Sequence, residues 1–254
     1  MILKSTKVEN LQVHIFKTRE DMGAAAAKEA ADYINRIIEE KGTANVVFAA
    51  APSQNELLAN LLKTNVDWSK VRGFHQDEYI GIDESEPAGF GNFLRRAIFD
   101  KVQFKELYFL HCREDQVEAK LSEYAELLKK YPADLIFLGI GENGHLAFND
   151  PGVADFNDPK VVKVVELDDV CRQQQVNDGC FPNIDAVPKR AMTLTMSFIM
   201  SVPKAICVVP TERKANIIYR TLNDPISVDC PSTILRKHSN ASLYLDENSG
   251  QKVL

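Results

Sequence analysis

Residues 18–42 show the clearest helical pattern of apolar and polar positions in the chain, TREDMGAAAAKEAADYINRIIEEKG. Apolar residues recur at helical spacing, acidic residues come early, a lysine comes late and a glycine ends the segment. These are start and stop signals of a long amphipathic helix. The run ANVVFAA follows at residues 44–50. A short continuous apolar run of this kind predicts a strand covered on both faces, as in a parallel sheet.

The alternation of helix and strand continues along the chain. Further helices are predicted near residues 55–62, 90–102, 116–131 and 212–222. Further strands are predicted near residues 71–75, 107–110, 134–139, 160–167, 192–196, 205–210 and 242–246. This order is typical of an α/β protein with a doubly wound, mostly parallel sheet and helices on both faces, a Rossmann-like fold. Because no internal repeat or flexible linker interrupts it, residues 1–254 are expected to form a single domain.

The composition supports one large core and narrows the choice of partners. The chain has 254 residues, of which 45% are hydrophobic, and 36 acidic residues against 30 Lys and Arg give a net charge of −6. That length and apolar content suffice for a sizeable layered domain. An acidic chain without a basic stripe is not expected to bind nucleic acid. An anionic substrate would have to be attracted by a local site.

Targeting and redox features are few. No stretch reaches the ~18 apolar residues that a membrane span needs, and the N-terminus lacks a signal-peptide pattern, so a cytoplasmic location without membrane contact is expected. The five cysteines are odd in number and include no C-x-x-C pair. We interpret them as reduced, largely structural thiols.

Four segments that follow predicted strands are the places to look for chemistry, because ligands of open parallel sheets bind beyond the carboxyl ends of the strands. One of them, GIGENG at residues 139–144, matches the dinucleotide fingerprint G-x-G-x-x-G. The fingerprint should open a helix in the first βαβ unit. Here HLAFNDPG follows instead, and several strand–helix units precede it. The match therefore does not predict a nicotinamide cofactor.

The same segment presents Asn143, His145 and Asp150 at a strand end. They have two interpretations. His145 could be a hydrogen-bonded loop histidine beside a turn at residues 149–151, with glycines that permit positive φ. Alternatively, the three polar groups form a catalytic cluster, which their crowding between glycines favours.

The segment FHQDEY at residues 74–79 also follows a predicted strand. A carboxylate there, Asp77, could move a proton on and off a carbon beside a carbonyl. Its neighbour Glu78 is better explained as an ion-pair or helix-end acceptor. The spacing of His75 and Asp77 fits no defined metal-ligand pattern, so neither a catalytic metal nor another cofactor is expected.

The remaining two segments could bind an anion. Ser53 and Gln54 lie at a strand-to-helix turn, where free backbone amides and the helix dipole favour a phosphate. Arg213 and Lys214 occupy the equivalent position after another strand, and Arg172 is a third candidate cation. The alternatives are an N-cap role for Ser53 and a solvated first helical turn for the two cations.

Two of these motifs resemble a known family. FHQDEY, followed by LGIGENGHLAFNDPG at residues 138–152, resembles the glucosamine-6-phosphate deaminase/isomerase family, whose patterns are F-x-x-D-E-Y and G-x-G-x-[DN]-G-H-[IL]-[AG]-F-N-E-P. In the related 6-phosphogluconolactonases, a sequence of the type T-A-S-L-F-P comes after the Gly-His pair. HLAFNDP therefore resembles the deaminase pattern. The resemblance extends over almost the entire chain.

The resemblance implies roles for individual residues. Asp77 falls on the family's proton-shuttle aspartate and His145 on its ring-opening histidine, with Asn143 and Asp150 on the partners of that histidine. Asn143 replaces an aspartate and so removes a negative charge that would favour a protonated imidazole. Asp150 replaces the usual glutamate and shortens the orienting arm by one methylene, about 1.5 Å.

The resemblance also implies a phosphate and substrate site. Lys214 falls on a phosphate-binding lysine, and Ser53 and Gln54 fall in the family's phosphate loop, which is usually glycine-rich but reads APSQNE here. Gly144 of the glycine-rich motif is assigned to the same substrate-binding set. Arg172 is the candidate for the family's phosphate-binding arginine.

The implied reaction converts glucosamine 6-phosphate and water into fructose 6-phosphate and ammonia, without a metal or redox cofactor. The partner is then a small sugar phosphate, and a homo-oligomer is possible. Two alternatives stay within the fold: 6-phosphogluconolactone hydrolysis, or deamination of another amino sugar phosphate. A third alternative belongs to another class, a non-catalytic sugar-phosphate sensor in which the changed residues mark lost chemistry.

Overall fold

The long N-terminal helix of the sequence prediction is present with both of its signals. The computed structural model describes residues 1–83 and 85–254. Helix α1 covers Arg19–Lys41, and the hydroxyl of Thr18 accepts a hydrogen bond from the amide of Asp21 at its start. At its end Gly42 adopts a φ of 79°, and its amide donates to the carbonyl of Ile38. A left-handed residue is the usual helix terminator, and glycine adopts it at little cost.

Helices and strands alternate along most of the chain. In the described residues the strands are β1 (Ile2–Val8), β2 (Leu11–Phe16), β3 (Ala44–Phe48), β4 (Val71–His75), β5 (Asp77–Tyr79), β6 (Glu106–Tyr108), β7 (Leu135–Leu138), β8 (Val162–Glu166), β9 (Arg190–Leu194), β10 (Lys204–Val209) and β11 (Ala241–Asp246). The helices after α1 are α2 (Asn55–Leu61), α3 (Phe90–Leu94), α4 (Val117–Lys130), α5 (Asp169–Asn177), α6 (Met196–Ser201), α7 (Ala215–Asn223) and α8 (Glu247–Gly250).

The main sheet is mostly parallel, as predicted. Within residues 1–83 and 85–254 it contains eight strands in the order β1-β2-β11-β10-β7-β3-β4-β6. All neighbours pair in parallel except β1 and β2, which form an antiparallel edge that the sequence analysis did not predict. Most of β1 is exposed, so it lacks the continuous apolar run that revealed the inner strands.

Helices cover both faces of this sheet because successive strand residues point to opposite sides. Val46 and Phe48 of β3 pack in one apolar core together with residues of α1 and α2. Val47, between them, belongs to a second core with residues of α4, α6 and α7. This is the doubly wound arrangement, and it leaves the carboxyl ends of the parallel strands uncovered by the helices.

A second, smaller sheet changes one part of the prediction. Strands β5, β9 and β8 form an antiparallel sheet, in which Asp77 pairs with Thr193. The segments predicted near residues 160–167 and 192–196 therefore do not join the parallel sheet. Gln76 links the two sheets, since its amide donates to the carbonyl of Phe48 and its carbonyl accepts from the amide of Leu194, both at 3.2 Å. This connection places Asp77 just beyond the end of β4.

Two further boundaries differ for local reasons. The helix predicted at residues 90–102 is α3 followed by a π-helical segment, Arg95–Phe99. The strand predicted to end at Met196 stops earlier, because the hydroxyl of Thr195 accepts from the amide of Phe198 and starts α6. Helix α5 was not predicted at all, since its sequence is dominated by polar residues.

None of the described helices is both long and apolar enough to cross a membrane.

Candidate active site

Three loops and the start of a strand meet in one cleft at the carboxyl edge of the parallel strands. The loops after β3, β7 and β10 and the start of β5 line it, and its volume is about 230 Å³. Clefts of a few hundred Å³ take small-molecule ligands. Six residues singled out from the sequence line this cleft: Ser53, Gln54, Asp77, His145, Arg213 and Lys214.

Glycine at position 141 makes room for His145. A Cβ atom on Gly141 would lie 2.2 Å from Cε1 and 2.3 Å from Nε2 of the imidazole, closer than real Cβ atoms approach. The amide of Gly141 also donates to the carbonyl of His145 at 3.0 Å. The ring therefore lies against the backbone of the loop after β7. This close approach explains the first part of the glycine-rich motif without a dinucleotide.

His145 is held by two side chains of its own loop. Nδ1 of His145 lies 2.8 Å from Oδ1 of Asp150 in an ion-pair contact. Nδ2 of Asn143 donates to the same Oδ1 at 2.9 Å, while its Oδ1 accepts from the backbone amide of His145 at 3.0 Å. Neither Asn143 nor Asp150 lines the cleft. Both orient the histidine that does.

The Asp150 carboxyl is stabilised in its charged form. Its side chain is 0% exposed, and burial by itself raises its pKa, but the contact with His145 and the hydrogen bond from Asn143 outweigh burial and lower the pKa below the usual aspartate range. A buried carboxylate with such partners stays ionised and fixes the ring that it faces.

Asp77 lies in the opposite electrostatic situation. It is 5% exposed, and burial together with the neighbouring Glu78 raises its pKa well above the usual aspartate value. The cleft thus contains a carboxyl group that readily takes up a proton, whereas Asp150 beside His145 stays charged. Paired carboxyl groups with pKa values pushed apart are typical of acid–base sites.

Glu78 faces away from the cleft, as strand alternation requires. Its carboxylate accepts backbone hydrogen bonds from Tyr79 at 2.9 Å, Phe90 at 3.1 Å and Gly91 at 2.8 Å. Burial raises the pKa of Glu78 to about 7, although these three bonds act in the opposite direction. The helix-end role expected for Glu78 matches this arrangement, because Phe90 and Gly91 begin α3.

Three cations also line the cleft. Nζ of Lys214 lies 3.4 Å from Oε1 of Gln174 and forms no ion pair within the part of the chain that the structure describes. Burial lowers the pKa of Lys214 to about 8. Arg213 and Arg19 line the cleft as well; Arg213 pairs with Asp178 at 2.9 Å.

Sequence reasoning missed Arg19. Its Nε lies 2.6 Å from Oε2 of Glu56, and it reaches the cleft from the first residue of α1. Arg19 comes soon after β2 in the chain, so the rule that ligands bind beyond strand ends would have found it. That rule could not be applied because β2 itself was not predicted.

Two glutamines line the cleft with amide atoms that lack partners. Gln54 is fully buried, and its Nε2 donates to the backbone carbonyl of Leu138 at 3.2 Å. A carbonyl can only accept, so this bond fixes the amide orientation. Oε1 of Gln54 and Nε2 of Gln76 then remain without a hydrogen bond among the described residues. Buried polar atoms of this kind are normally satisfied by a ligand or water.

Two predicted binding residues are not brought to the cleft. The Arg172 guanidinium donates to the carbonyls of Ile184 at 2.6 Å and Val187 at 3.3 Å, and it pairs with Asp169 at 3.0 Å. These bonds fasten α5 to the loop before β9 and occupy the group that was expected to hold phosphate. Gly144 has a φ of 92°, and its amide donates to the carbonyl of Gly141 within the turn. Its amide is therefore not free for a substrate.

Backbone strain is concentrated at the cleft. Ala147 and Thr211 have φ values of 51° and 83°, and both line it. The amide of Thr211 donates to the carboxylate of Asp246 at 3.2 Å, which holds this residue in place. Left-handed conformations of residues other than glycine cost about 1–3 kcal/mol and are retained mostly at functional sites.

Known proteins match this chain over most of its length. The sequence profile of the family described as glucosamine-6-phosphate isomerases/6-phosphogluconolactonase matches residues 17–244. The glucosamine-6-phosphate deaminase of Listeria welshimeri is 31% identical over 225 residues, which cover 89% of this chain and 94% of that protein. The glucosamine-6-phosphate deaminase of Bacillus cereus is 29% identical over 239 residues, 94% of this chain and 88% of that protein.

Solved structures of related proteins are similar to this chain over most of its length. A monomeric glucosamine-6-phosphate deaminase superposes with a TM-score of 0.85 at 26% identity, covering 94% of this chain and 99% of that one. A 6-phosphogluconolactonase from Shewanella baltica superposes with a TM-score of 0.76 at 16% identity, covering 95% and 100%. At 16% identity, the match to the 6-phosphogluconolactonase shows a similar fold and no more. The profile match spans every residue of the cleft named above.

Proposed function

Because the chain belongs to the glucosamine-6-phosphate isomerase/6-phosphogluconolactonase family and is an enzyme of that family, we propose that it converts glucosamine 6-phosphate and water into fructose 6-phosphate and ammonia. The observation that carries this proposal is the arrangement of the cleft. A proton-accepting carboxyl, Asp77, and an oriented imidazole, His145, line the same small cavity as Lys214. Those groups match what an amino sugar phosphate needs.

The first step opens the pyranose ring. His145 transfers a proton between O1 and the ring oxygen O5, which releases the aldehyde at C1. Asp150 stays charged and holds the imidazole in place, and Asn143 holds both. A histidine oriented by a buried carboxylate is a common general acid–base unit.

The second step moves a proton between two carbons. Asp77 removes the proton from C2 of the open aldehyde while O1 takes up a proton given up by the ammonium group on C2, which leaves an enolamine across C1 and C2. The same carboxyl returns the proton to C1, which gives a protonated ketimine at C2. Water adds to C2, and ammonia leaves to give fructose 6-phosphate. A carboxyl with a raised pKa is a stronger base than an ordinary aspartate, which suits proton abstraction beside a carbonyl.

The cations that line the cleft bind the phosphate. Lys214 has no carboxylate partner of its own in the described residues, and a dianionic phosphate would supply one. Arg19 and Ser53 line the same cleft, and the Arg19 guanidinium donates to the backbone carbonyl of Pro52. Binding energy gathered on the phosphate fixes the sugar at the reacting carbons. Gln54, whose oxygen can only accept, would receive a hydrogen bond from a hydroxyl or amine of the sugar.

A product assay tests the proposal. Purified protein is incubated with glucosamine 6-phosphate, and ammonia and fructose 6-phosphate are measured in parallel. We expect both products in equal amounts. Galactosamine 6-phosphate and 6-phosphogluconolactone serve as comparison substrates. Turnover of the lactone alone would replace the proposal with a lactonase, and tight binding of sugar phosphates without turnover of any of them would replace it with a sensor.

A further inference from the structure

Behind the imidazole of the cleft lies a cluster of three potential metal ligands. Nδ1 or Nε2 of His145, a carboxylate oxygen of Asp150 and Sγ of Cys171 all lie within 4.8 Å of one another, and all three residues are buried. His145 and Asp150 belong to the loop after β7. Cys171 lies in the first turn of α5, where its amide donates to Oδ1 of Asp168 at 2.6 Å. The helix that sequence analysis missed therefore supplies the sulfur.

The cluster contains a buried ligand atom without a hydrogen-bond partner among the described residues. Oδ2 of Asp150 is buried and accepts no hydrogen bond from the described residues, although Asp150 is 0% exposed. Nδ1 of His145 is likewise buried and is held only by its ion-pair contact with Oδ1 of Asp150. A buried carboxylate oxygen without a hydrogen bond, next to a thiol, indicates that another group can be accommodated here.

We propose that His145, Asp150 and Cys171 form an inhibitory site for Zn²⁺. Zinc takes nitrogen, oxygen and sulfur ligands together, and three protein ligands with one water complete its tetrahedral shell. Calcium and magnesium favour shells made of oxygen, so the sulfur and nitrogen select against them. The claim of inhibition rests on the proposed function, while the claim of metal binding does not.

The His145–Asp150 pair lies close to zinc geometry, and Sγ of Cys171 lies within 4.8 Å of both ligand atoms. Ligand atoms of a tetrahedral zinc site with bonds of about 2.0–2.1 Å lie roughly 3.3 Å apart. The contact between Nδ1 of His145 and Oδ1 of Asp150 is 2.8 Å, so these atoms need to separate by about 0.5 Å. Of the three ligands His145 lines the cleft, so an ion that enters from the cleft has to pass the imidazole ring.

Coordination stops the chemistry proposed for His145. The thiol of Cys171 loses its proton to solvent as the zinc–sulfur bond forms, so one Zn²⁺ enters and one H⁺ leaves. The lone pair of Nδ1 binds the metal, which leaves the ring proton on Nε2. That nitrogen can then no longer accept a proton from the sugar. Zinc also takes the Asp150 carboxylate away from the imidazole that it orients.

Metal binding is measured without substrate. Protein freed of metal with a chelator is titrated with Co²⁺, whose bond to a thiolate gives a charge-transfer band in the near ultraviolet, and Zn²⁺ is then added to displace it. We expect one equivalent of Co²⁺ with this band in the wild type. Cys171→Ser should abolish the band and weaken Zn²⁺ binding at least about tenfold, since even residues that only support ligands change affinity by 10–100-fold. Asp150→Asn, which keeps the thiol, should weaken binding as well.

The matched control is Cys180→Ser, which removes the partly exposed cysteine close to the same helix and outside the cluster. It should bind Co²⁺ and Zn²⁺ like the wild type. Inhibition by Zn²⁺ is then measured for each variant relative to its own metal-free rate. Cys171→Ser should need at least about ten times more Zn²⁺ for half-inhibition.

Each result decides the matter. Absence of the charge-transfer band in the wild type, or an unchanged band in Cys171→Ser, would overturn the site. Loss of the band in Cys180→Ser would move the ion to another cysteine. A protein that binds Co²⁺ through Cys171 but forms no ammonia would keep the metal site and refute the proposed function.

Discussion

The two walls of the cleft are built on different principles. The proton-transfer wall consists of Asp77 and His145, together with Asn143 and Asp150 behind the histidine. Its imidazole is fixed by contacts within one loop. The cation wall consists of Arg19, Arg213 and Lys214, which come from the starts of two helical segments. There Lys214 has only an amide oxygen at 3.4 Å as its hydrogen-bond partner among the described residues.

This difference predicts which kinetic constant depends on each wall. The proton-transfer wall is organised before a ligand arrives, so changes in it should alter the rate of the chemical step. In the cation wall, Arg19 and Arg213 pair with Glu56 and Asp178, but Lys214 has no carboxylate partner among the described residues, so a change of Lys214 should alter binding. A variant of the first wall is expected to lower kcat, and a variant of the second to raise KM.

The largest effect is expected from Asp77→Asn. The amide cannot accept the C2 proton, and general bases contribute about 10²–10⁴-fold, so kcat should fall by that factor while KM changes little. Steady-state rates of ammonia release measure both constants. A loss below about fivefold would give Asp77 a structural role and break the distinction between the two walls.

Thermal unfolding checks that Asp77→Asn is folded. Burial and Glu78 raise the pKa of Asp77, so between the ordinary aspartate pKa and the raised one the folded protein binds more protons than the unfolded chain. Stability then falls as pH rises through that window. The asparagine variant should have a higher Tm than the wild type at neutral pH. This difference in Tm should disappear below the ordinary aspartate pKa, where the Asp77 carboxyl is protonated in both the folded and the unfolded wild type.

The second largest effect is expected from Gly141→Ala. The new Cβ would meet the His145 ring at 2.2 Å, so the imidazole must move. A displacement of about 1 Å in a catalytic group can cost roughly 10²-fold, and we expect a fall in kcat of that order. Gly152→Ala, with open space around the new Cβ, is the control: it should lower Tm through its positive φ and leave kcat unchanged. Equal rates in the two variants would contradict the packing of His145 on Gly141.

Lys214→Ala tests the cation wall. A hydrogen bond to a charged group contributes about 1.5–3 kcal/mol, so KM for glucosamine 6-phosphate should rise roughly tenfold to 150-fold with kcat at saturation nearly kept. Affinity for unphosphorylated glucosamine should not change. Arg172→Ala is the matched control, because the Arg172 guanidinium donates hydrogen bonds to backbone carbonyls. It should lower Tm without raising KM, whereas a large KM effect would restore Arg172 to the phosphate site.

The smallest effect is expected from Glu78→Gln. Burial comes first among the causes that raise the pKa of Asp77, and the charge of Glu78 adds to it. Without that charge the base form of Asp77 persists to lower pH, so the acidic limb of the kcat profile should move to lower pH. A pH series of initial rates measures the shift. A limb that moves upward, with the variant folded, would show that Asp77 is not the group titrating there.

The sequence located most of the site because the inner strands are continuous apolar runs. Each such run fixes where a strand ends, and Ser53, Asp77, His145 and Lys214 follow those ends directly. Arg19 was missed because the strand before it, β2, is not a continuous apolar run but alternates buried residues with exposed or partly exposed ones. The bonds of Arg172 to the carbonyls of Ile184 and Val187 were not predictable, because the sequence shows a cation among polar residues but not the carbonyls that a loop brings to it.

Contacts between positions far apart in the chain could not be predicted from the sequence either. The small antiparallel sheet joins Asp77 to Thr193, and no local pattern specifies a contact between positions so far apart in the chain. The same applies to Cys171. Its place beside His145 and Asp150 depends on how α5 packs against the loop after β7, which periodicity does not determine.

The central claim is that Asp77 moves the C2 proton and that Lys214 only binds the phosphate. The most direct test uses glucosamine 6-phosphate carrying deuterium at C2, at saturating concentration, with deuterium at C1 of the fructose 6-phosphate product measured by NMR. Wild type and Lys214→Ala should transfer deuterium to C1 at similar rates, and Asp77→Asn should transfer it at least about 10²-fold more slowly. Equal transfer by Asp77→Asn and the wild type, or an equal loss in both variants, would contradict the claim.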